Sequence, residues 1–242
     1  MDYQVQTQQP MPGGMNWAPV PLAPMPSYSP ALAYLATVDQ LVVEQKKELV
    51  EIVLGYESAN KYEVKNSQGQ TIFMALEDSD CCSRNLCGNL RPLDIKIIDC
   101  NQTEVMKLVR PLACQGCCFP CCLQTMDVEC PPGTVVGRIE QQWSILTPKF
   151  DIKNEAGETV LKIKGPIFQC NFCGDVEFEI LSVDGDTQVG KISKQWAGLL
   201  KEMFTDAEHF GINFPLDLDV KVKATLLGAL FLIDFLYFEF NK

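Results

Sequence analysis

Five cysteines, Cys114, Cys117, Cys118, Cys121 and Cys122, crowd into nine residues with Gly116, Phe119 and Pro120 among them. The whole chain has 12 cysteines and one histidine, His209. CxxC pairs are zinc spacing. The Cys-Cys doublets, however, sit awkwardly around one tetrahedral ion, and no histidine is near. Three chemistries stay open for the cluster: metal ligation, lipid acceptance or buried filling. A disulfide framework is not expected. No Lys or Arg precedes Lys46, so neither a secretory signal nor a mitochondrial presequence is read there, and a cytosolic start keeps thiols reduced. Cys81, Cys82, Cys87, Cys170 and Cys173 recur at related places in two halves of the chain and carry no assignment.

The second candidate is acidic. As a twelve-residue calcium loop, Asp206 takes the first position, Glu208 the third, Phe210 the fifth, Ile212 the seventh and Asp217 the twelfth. Gly211 at the sixth fits the required turn. Phe210 and Phe214 offer no side-chain oxygen, and Asp217 is shorter than the usual bidentate Glu. Such a site binds weakly, at ~10⁻⁴–10⁻³ M. The alternative is a structural segment whose Phe side chains plug the fold. A third stretch, Gly190–Trp196, carries two charges, Lys191 and Lys194, and also reads as a plain strand. Neither GxxxxGK[ST] nor GxSxG occurs, so no phosphate-binding loop or nucleophile elbow is expected. Net charge is −11, which excludes bulk electrostatic attachment to nucleic acid or anionic lipid.

The elements that hold these residues follow from pattern. Residues 1–30 form a tail with seven of the 15 prolines, expected to be extended and unfolded. Pro21 and Pro24 make a minimal PxxP that could dock an SH3 or WW domain. Leu32, Leu35, Val38, Leu41 and Val42 recur at helical spacing, predicting a short helix and then a strand over 49–54. From Lys61 the pattern alternates. Lys61, Lys65, Asn66, Gly69 and Thr71 match Lys149, Lys153, Asn154, Gly157 and Thr159 at an offset of 88. The repeat continues as DIKIID (from Asp94) against EFEILS (from Glu177), and EVMKL (from Glu104) against QVGKI (from Gln188). Two copies of one β-rich unit suit a pseudo-symmetric closed sheet, which hides its edges. Trp196–Phe204 reads as a helix. Ala224–Phe238 is apolar but only 15 residues long, about 22 Å of helix against ~30 Å of hydrocarbon. Asp234 lies within it, and an apolar helix of this kind reads first as a filler of the closed sheet, with a single membrane span as the alternative.

CCFPCCLQ (Cys117–Gln124), GKISKQW, DAEHFGINFPLDLD (Asp206–Asp219) and LLGALFLIDFLYFE occur in an order that resembles the phospholipid scramblase family. The likeness runs from about Ala31 to Glu239. It implies a mainly β fold: a tubby-like closed barrel of two pseudo-repeats, about twelve strands, around the hydrophobic C-terminal helix, with 31–242 as one domain. It implies palmitoylation at Cys117, Cys118, Cys121 and Cys122, and a weak Ca²⁺ site over Asp206, Glu208, Phe210, Ile212 and Asp217. The family's third-position Asp is Glu208 here. Lys191 and Lys194 fall in its unconventional nuclear import stretch, where Gln195 replaces His. The implied activity is calcium-dependent, ATP-independent, bidirectional movement of membrane phospholipids, with no covalent catalysis. The implied place is the cytoplasmic face of the plasma membrane or an organelle, and the nucleus when unacylated. Scrambling with one short helix would call for a homo-oligomer or local bilayer thinning. The other reading is a lipid-anchored signalling adaptor that meets SH3/WW partners through its tail and an importin through Lys191 and Lys194.

Overall fold

The computed structural model describes residues 15–19, 30–46, 60–78, 92–112, 123–167, 176–194 and 209–238. Helix α1 (Pro30–Ala36) leads into β1 (Gln40–Lys46), β2 (Lys61–Lys65), β3 (Thr71–Asp78), β4 (Leu93–Ile98), β5 (Glu104–Arg110) and β6 (Thr125–Glu129). The second half is β7 (Val135–Gln142), β8 (Lys149–Asn154), β9 (Thr159–Lys164), β10 (Val176–Leu181), β11 (Gln188–Lys194) and β12 (His209–Asn213), followed by helix α2 (Val220–Tyr237). Every strand pairs antiparallel with its sequence neighbours, and β1 closes on β12. The expected twelve-strand closed barrel is what forms, and closure leaves no sheet edge.

On most strands inward positions are apolar and outward ones polar, the period of two that a pleated strand imposes. On β4, Leu93, Ile95 and Ile97 are buried while Asp94 and Lys96 are half-buried. On β10, Phe178 and Ile180 are buried and Glu177 and Glu179 are not. The interior is occupied by α2, of which every residue from Lys223 to Leu236 is buried. The helix has no polar stripe to offer water, and its sides meet sheet and, near its start, helix α1. Asp219 caps its first turn, its Oδ1 accepting from the amides of Lys221 at 2.9 Å and Val222 at 3.2 Å. Glycines bring helix and sheet together. A Cβ on Gly137 of β7 would lie 2.0 Å from Thr225 Oγ1, and one on Gly228 would lie 2.7 Å from Val128 Cγ2.

The repeat is reproduced atom by atom. Asn66 Oδ1 accepts from the amides of Gln68 (3.0 Å) and Gln70 (2.9 Å), and Asn154 Oδ1 accepts from Ala156 (3.0 Å) and Glu158 (2.9 Å). Gly69 and Gly157 take φ of 74° and 79° at the same turn position, a conformation that costs glycine nothing. The register slips at Val64/Lys65 and at Ile152/Lys153 alike.

Three expectations are corrected. The first helix ends at Ala36; Leu41 and Val42 belong to strand β1, paired with β12 and β2. Leu41–Val43 is buried on both faces, so the stretch is a continuous apolar run in which the period is lost. The strand expected over 49–54 lies outside the described residues. The C-terminal helix begins four residues before Ala224, at Val220, because Asp219 is its cap. Part of the tail is seated rather than unfolded. Asn16–Ala18 runs parallel along the start of β3, with Thr71 N donating to Asn16 O and Ala18 N to Thr71 O, both 2.8 Å. Met15 and Trp17 pack there on Met74, Leu76 and Ile98.

Alternation gives the barrel two unlike ends. Short turns at 66–70, 99–103, 130–134, 155–158 and 182–187 mark one. The other holds the connections 47–60, 79–92, 111–124, 143–148, 165–175 and 195–208.

Candidate functional site

Cys117, Cys118, Cys121 and Cys122 lie outside the described residues, in sequence between β5 and β6. The flanks of that connection are placed. Gln124 N donates to Gln141 Oε1 at 3.0 Å, and Gln141 N donates to Gln124 O at 2.8 Å, tying the return of that connection to the end of β7. Two other cysteines, Cys100 and Cys130, are buried thiols, Cys130 donating to Val105 O at 3.4 Å; these two are fillers. The Cys81, Cys82, Cys87, Cys170 and Cys173 group lies outside the described residues.

Of the five residues read as a calcium loop, the three described ones, Phe210, Ile212 and Asp217, do not converge on one point. Phe210 and Ile212 sit on β12, whose residues pair with β1 on one side and β11 on the other. Their backbone groups are therefore committed to sheet, and their side chains are buried. Five strand residues rise about 3.3 Å each, so β12 carries the chain from the long-connection end to the short-turn end. Asp217 is at the latter, exposed in the turn before α2. A single coordination sphere cannot take ligands from both ends of a barrel strand. Asp206 and Glu208 themselves lie outside the described residues. Among the described residues no group of three His, Cys, Asp or Glu side chains could hold a metal ion. The structural alternative accounts for the phenylalanines: Phe210 packs on Phe238 (5.2 Å between centroids) and Phe214 is buried beside Lys223.

Lys191 and Lys194 lie on β11, paired with β10 and β12. Lys191 Nζ meets Glu177 at 2.6 Å. Lys194 Nζ lies 4.9 Å from the Phe238 ring and 5.6 Å from that of Phe210, at cation–π range. An importin reading this stretch as an extended peptide would have to open the barrel. Pro21, Pro24 and Trp196–Phe204 lie outside the described residues.

One charged group at the short-turn end escaped the sequence. Lys223 is fully buried, and its ammonium donates to Leu35 O (3.1 Å), Val38 O (2.7 Å) and Leu216 O (2.7 Å). Three donors meet three carbonyls, fastening α1, its exit and the turn before α2 to one point. Burial pushes this lysine below its ordinary value, opposed by Asp39 and Asp217. A lysine among aliphatic residues at a helix start was the available signal, but it reads equally as a solvated flank. On the outer wall, burial raises the Glu44 carboxyl, but hydrogen bonds and charge from Lys65 and Lys46 more than offset it, leaving it below the usual range.

An all-antiparallel barrel with apolar inward residues and a helix sealed inside is the inverse of a membrane barrel, whose outer wall is apolar; here Asp94, Lys96 and Lys107 face outward as ion pairs. Nor is any described helix long and apolar enough to cross a membrane. The fold and the chemistry at its ends thus define a barrel that buries its own hydrophobic helix. The family described as Scramblase matches residues 18–240, and the chain belongs to it. It is 54% identical over 94% of its length to phospholipid scramblase 1 of Mus musculus, covering 69% of that protein. It is 52% identical to phospholipid scramblase 2 of Bos taurus, over 96% of this chain and 78% of the relative. Against phospholipid scramblase family member 5 of Homo sapiens the figures are 44%, 94% and 86%.

Proposed function

We propose that the chain moves phospholipids between bilayer leaflets in both directions and without ATP, from a peripheral position on the cytoplasmic face of a membrane. The observation that carries this is its 54% identity, over nearly its whole length, to a protein named a phospholipid scramblase. Movement down a gradient needs no ATP, in keeping with a sequence that has no phosphate-binding loop. Palmitoyl chains on Cys117, Cys118, Cys121 and Cys122 hold the protein to lipid. A chain of net charge −11 cannot rely on a basic patch, whereas two or more acyl chains give stable anchoring at ~0.8 kcal/mol per buried methylene. The filled interior supports a lipid path along the outside of the protein, through local thinning of the bilayer or between copies in a homo-oligomer. Calcium acts weakly through Asp206 and Glu208 as β12 begins, without Asp217.

The filled interior also favours a second reading. The protein is then a lipid-anchored adaptor that recruits SH3 or WW domains through Pro21 and Pro24, and enters the nucleus through Lys191 and Lys194 when unacylated. One experiment separates them: acylated full-length protein in liposomes, with a leaflet-specific fluorescent lipid, with and without millimolar calcium. The scramblase reading expects calcium-stimulated exchange, lost in Asp206→Asn/Glu208→Gln and kept in Asp217→Asn. Membrane retention without exchange overturns it in favour of the adaptor. Loss of the calcium response in Asp217→Asn alone returns the site to a single loop.

A further inference from the structure

The described residues include eight large hydrophobic side chains that are exposed, and five of them gather at the long-connection end: Leu112 (62% exposed), Trp143 (51%), Ile145 (79%), Leu146 (57%) and Ile167 (61%). Three of these follow β7 within four residues. Ile167 is brought beside them by β8 and β9, whose Lys149 and Lys164 are register partners, and by Gly165 N donating to Pro148 O at 2.8 Å. The other three, Val135 at the start of β7 and Val183 and Leu216 in separate turns, lie apart along the chain at the opposite end. A contiguous apolar rim marks a surface that meets something apolar, whereas scattered residues do not.

We infer that this end of the barrel is the membrane-docking face, with the Trp143–Leu146 turn inserted among anionic phospholipid headgroups and upper acyl chains. This rests on the membrane-bound reading above and adds to it which end of the molecule meets lipid. Charge selects a bilayer over a protein groove. Lys149 and Lys164 are exposed directly opposite each other on β8 and β9, and neither forms an ion pair among the described residues. Like charges in register destabilise a sheet unless an anion lies between them, and headgroup phosphates at the base of an inserted turn would supply one. Glu179 on β10 is the carboxylate opposite Lys164 in register. Glu177, Asp78 and Asp94 at the same end are held by Lys191, Lys96 and Lys107. The short-turn end cannot play this part. It carries the exposed carboxylates Glu158, Asp184, Asp186 and Asp217, with Glu155 held by Lys221, and an anionic surface repels the four. Tryptophan beside aliphatic residues, with lysines one layer behind, is the composition that the interfacial zone accepts. The β5–β6 connection that carries the cysteine cluster starts and returns at this end, its return bonded to Gln141 two residues before Trp143. Acyl chains there and an inserted turn here would act on the same bilayer.

The test uses the acylated full-length chain on phosphatidylcholine/phosphatidylserine vesicles containing lipids brominated at defined depths. Tryptophan quenching attributed to Trp143 by difference from Trp143→Phe should be strongest for bromines nearest the headgroups. With the unacylated chain, Ile145→Asp/Leu146→Asp should lower vesicle partition at least about tenfold, while the equally exposed Leu216→Asp leaves it unchanged. Lys149→Gln/Lys164→Gln should weaken binding to the phosphatidylserine vesicles more than to pure phosphatidylcholine. An unchanged melting midpoint in each variant separates lost docking from lost folding. Unquenched Trp143 overturns the inference, as does equal loss of binding in Leu216→Asp, whether or not the protein exchanges lipid. Quenched Trp143 without lipid exchange keeps the docking face and sinks only the scramblase reading.

Discussion

At the scale of single residues, burial rather than charge pairing governs the ionisable groups that matter to the core. Tyr237 closes the interior at the long-connection end, edge-on to Phe150 with ring centroids 6.4 Å apart and accepting from Gln141 Nε2 at 3.4 Å. Burial pushes its hydroxyl up to about 12, from about 10 in an unfolded chain. Between those values the unfolded state releases a proton that the folded state keeps, so folding stability is full below pH 10 and falls as pH rises toward 12. The loss reaches roughly 2–3 kcal/mol at the upper limit. Tyr34, raised in the same direction by burial and by Cys100, adds to the slope. Tyr237→Phe should therefore flatten, without abolishing, the alkaline limb of a denaturation-midpoint-against-pH curve. At pH 7 it should change stability by no more than about 1 kcal/mol, since the hydrogen bond lost is long. An alkaline limb of unchanged steepness would mean that Tyr237 ionises as readily folded as unfolded.

At the scale of elements, helix–sheet contact depends on two missing side chains. Gly137 makes room for Thr225, whose Oγ1 donates back to Lys221 O at 2.8 Å. A methyl group on Gly137 would meet that hydroxyl and also Lys153 O, at 2.9 Å. Gly137→Ala should cost about 2–3 kcal/mol, the range of core overpacking. Thr225→Ala should recover part of it, a coupling that a double-mutant cycle by urea denaturation measures. Additive effects would mean that the helix shifts rather than clashes. Legibility in the sequence divides along the same line. The paired hairpins could be read because turn chemistry is local: Asn66 and Asn154, with Gly69 and Gly157, specify the same turn twice. Strand β1 could not, because burial on both faces erases its alternation. The cap at Asp219 could not be read either, because Ala224–Phe238 is bounded by its apolar run and the helix starts before that run, where Asp219 accepts from Lys221 N. Trp143, Ile145 and Leu146 lie in a turn, where no periodicity signals which apolar residues stay outside.

At the scale of the molecule, the barrel and its helix are one cooperative object. The helix supplies Leu226, Leu227, Leu230, Phe231, Leu232, Ile233, Phe235 and Leu236, all buried. Its first turn holds Lys223, which fastens α1 and the final turn. The strands alone would enclose an empty lumen lined by Leu108, Val128, Ile139 and Phe150, because side chains reaching inward from the wall do not meet across the space that the helix fills. Burying such side chains contributes about 1.5–3 kcal/mol each, so eight of them match or exceed the ~5–15 kcal/mol that stabilises a whole domain. Truncation after Asp219 should accordingly give a chain without a cooperative melt, with exposed apolar surface detectable by dye binding and rapid proteolysis of the strands. A membrane-spanning helix makes the opposite prediction, since removing an independent anchor leaves the domain it anchors intact and more soluble. Calorimetry of the truncated chain decides between them. A sharp transition near that of the full-length protein would place the helix outside the barrel core, and the absence of one would show that the hydrophobic segment most like a membrane span is the interior of the fold.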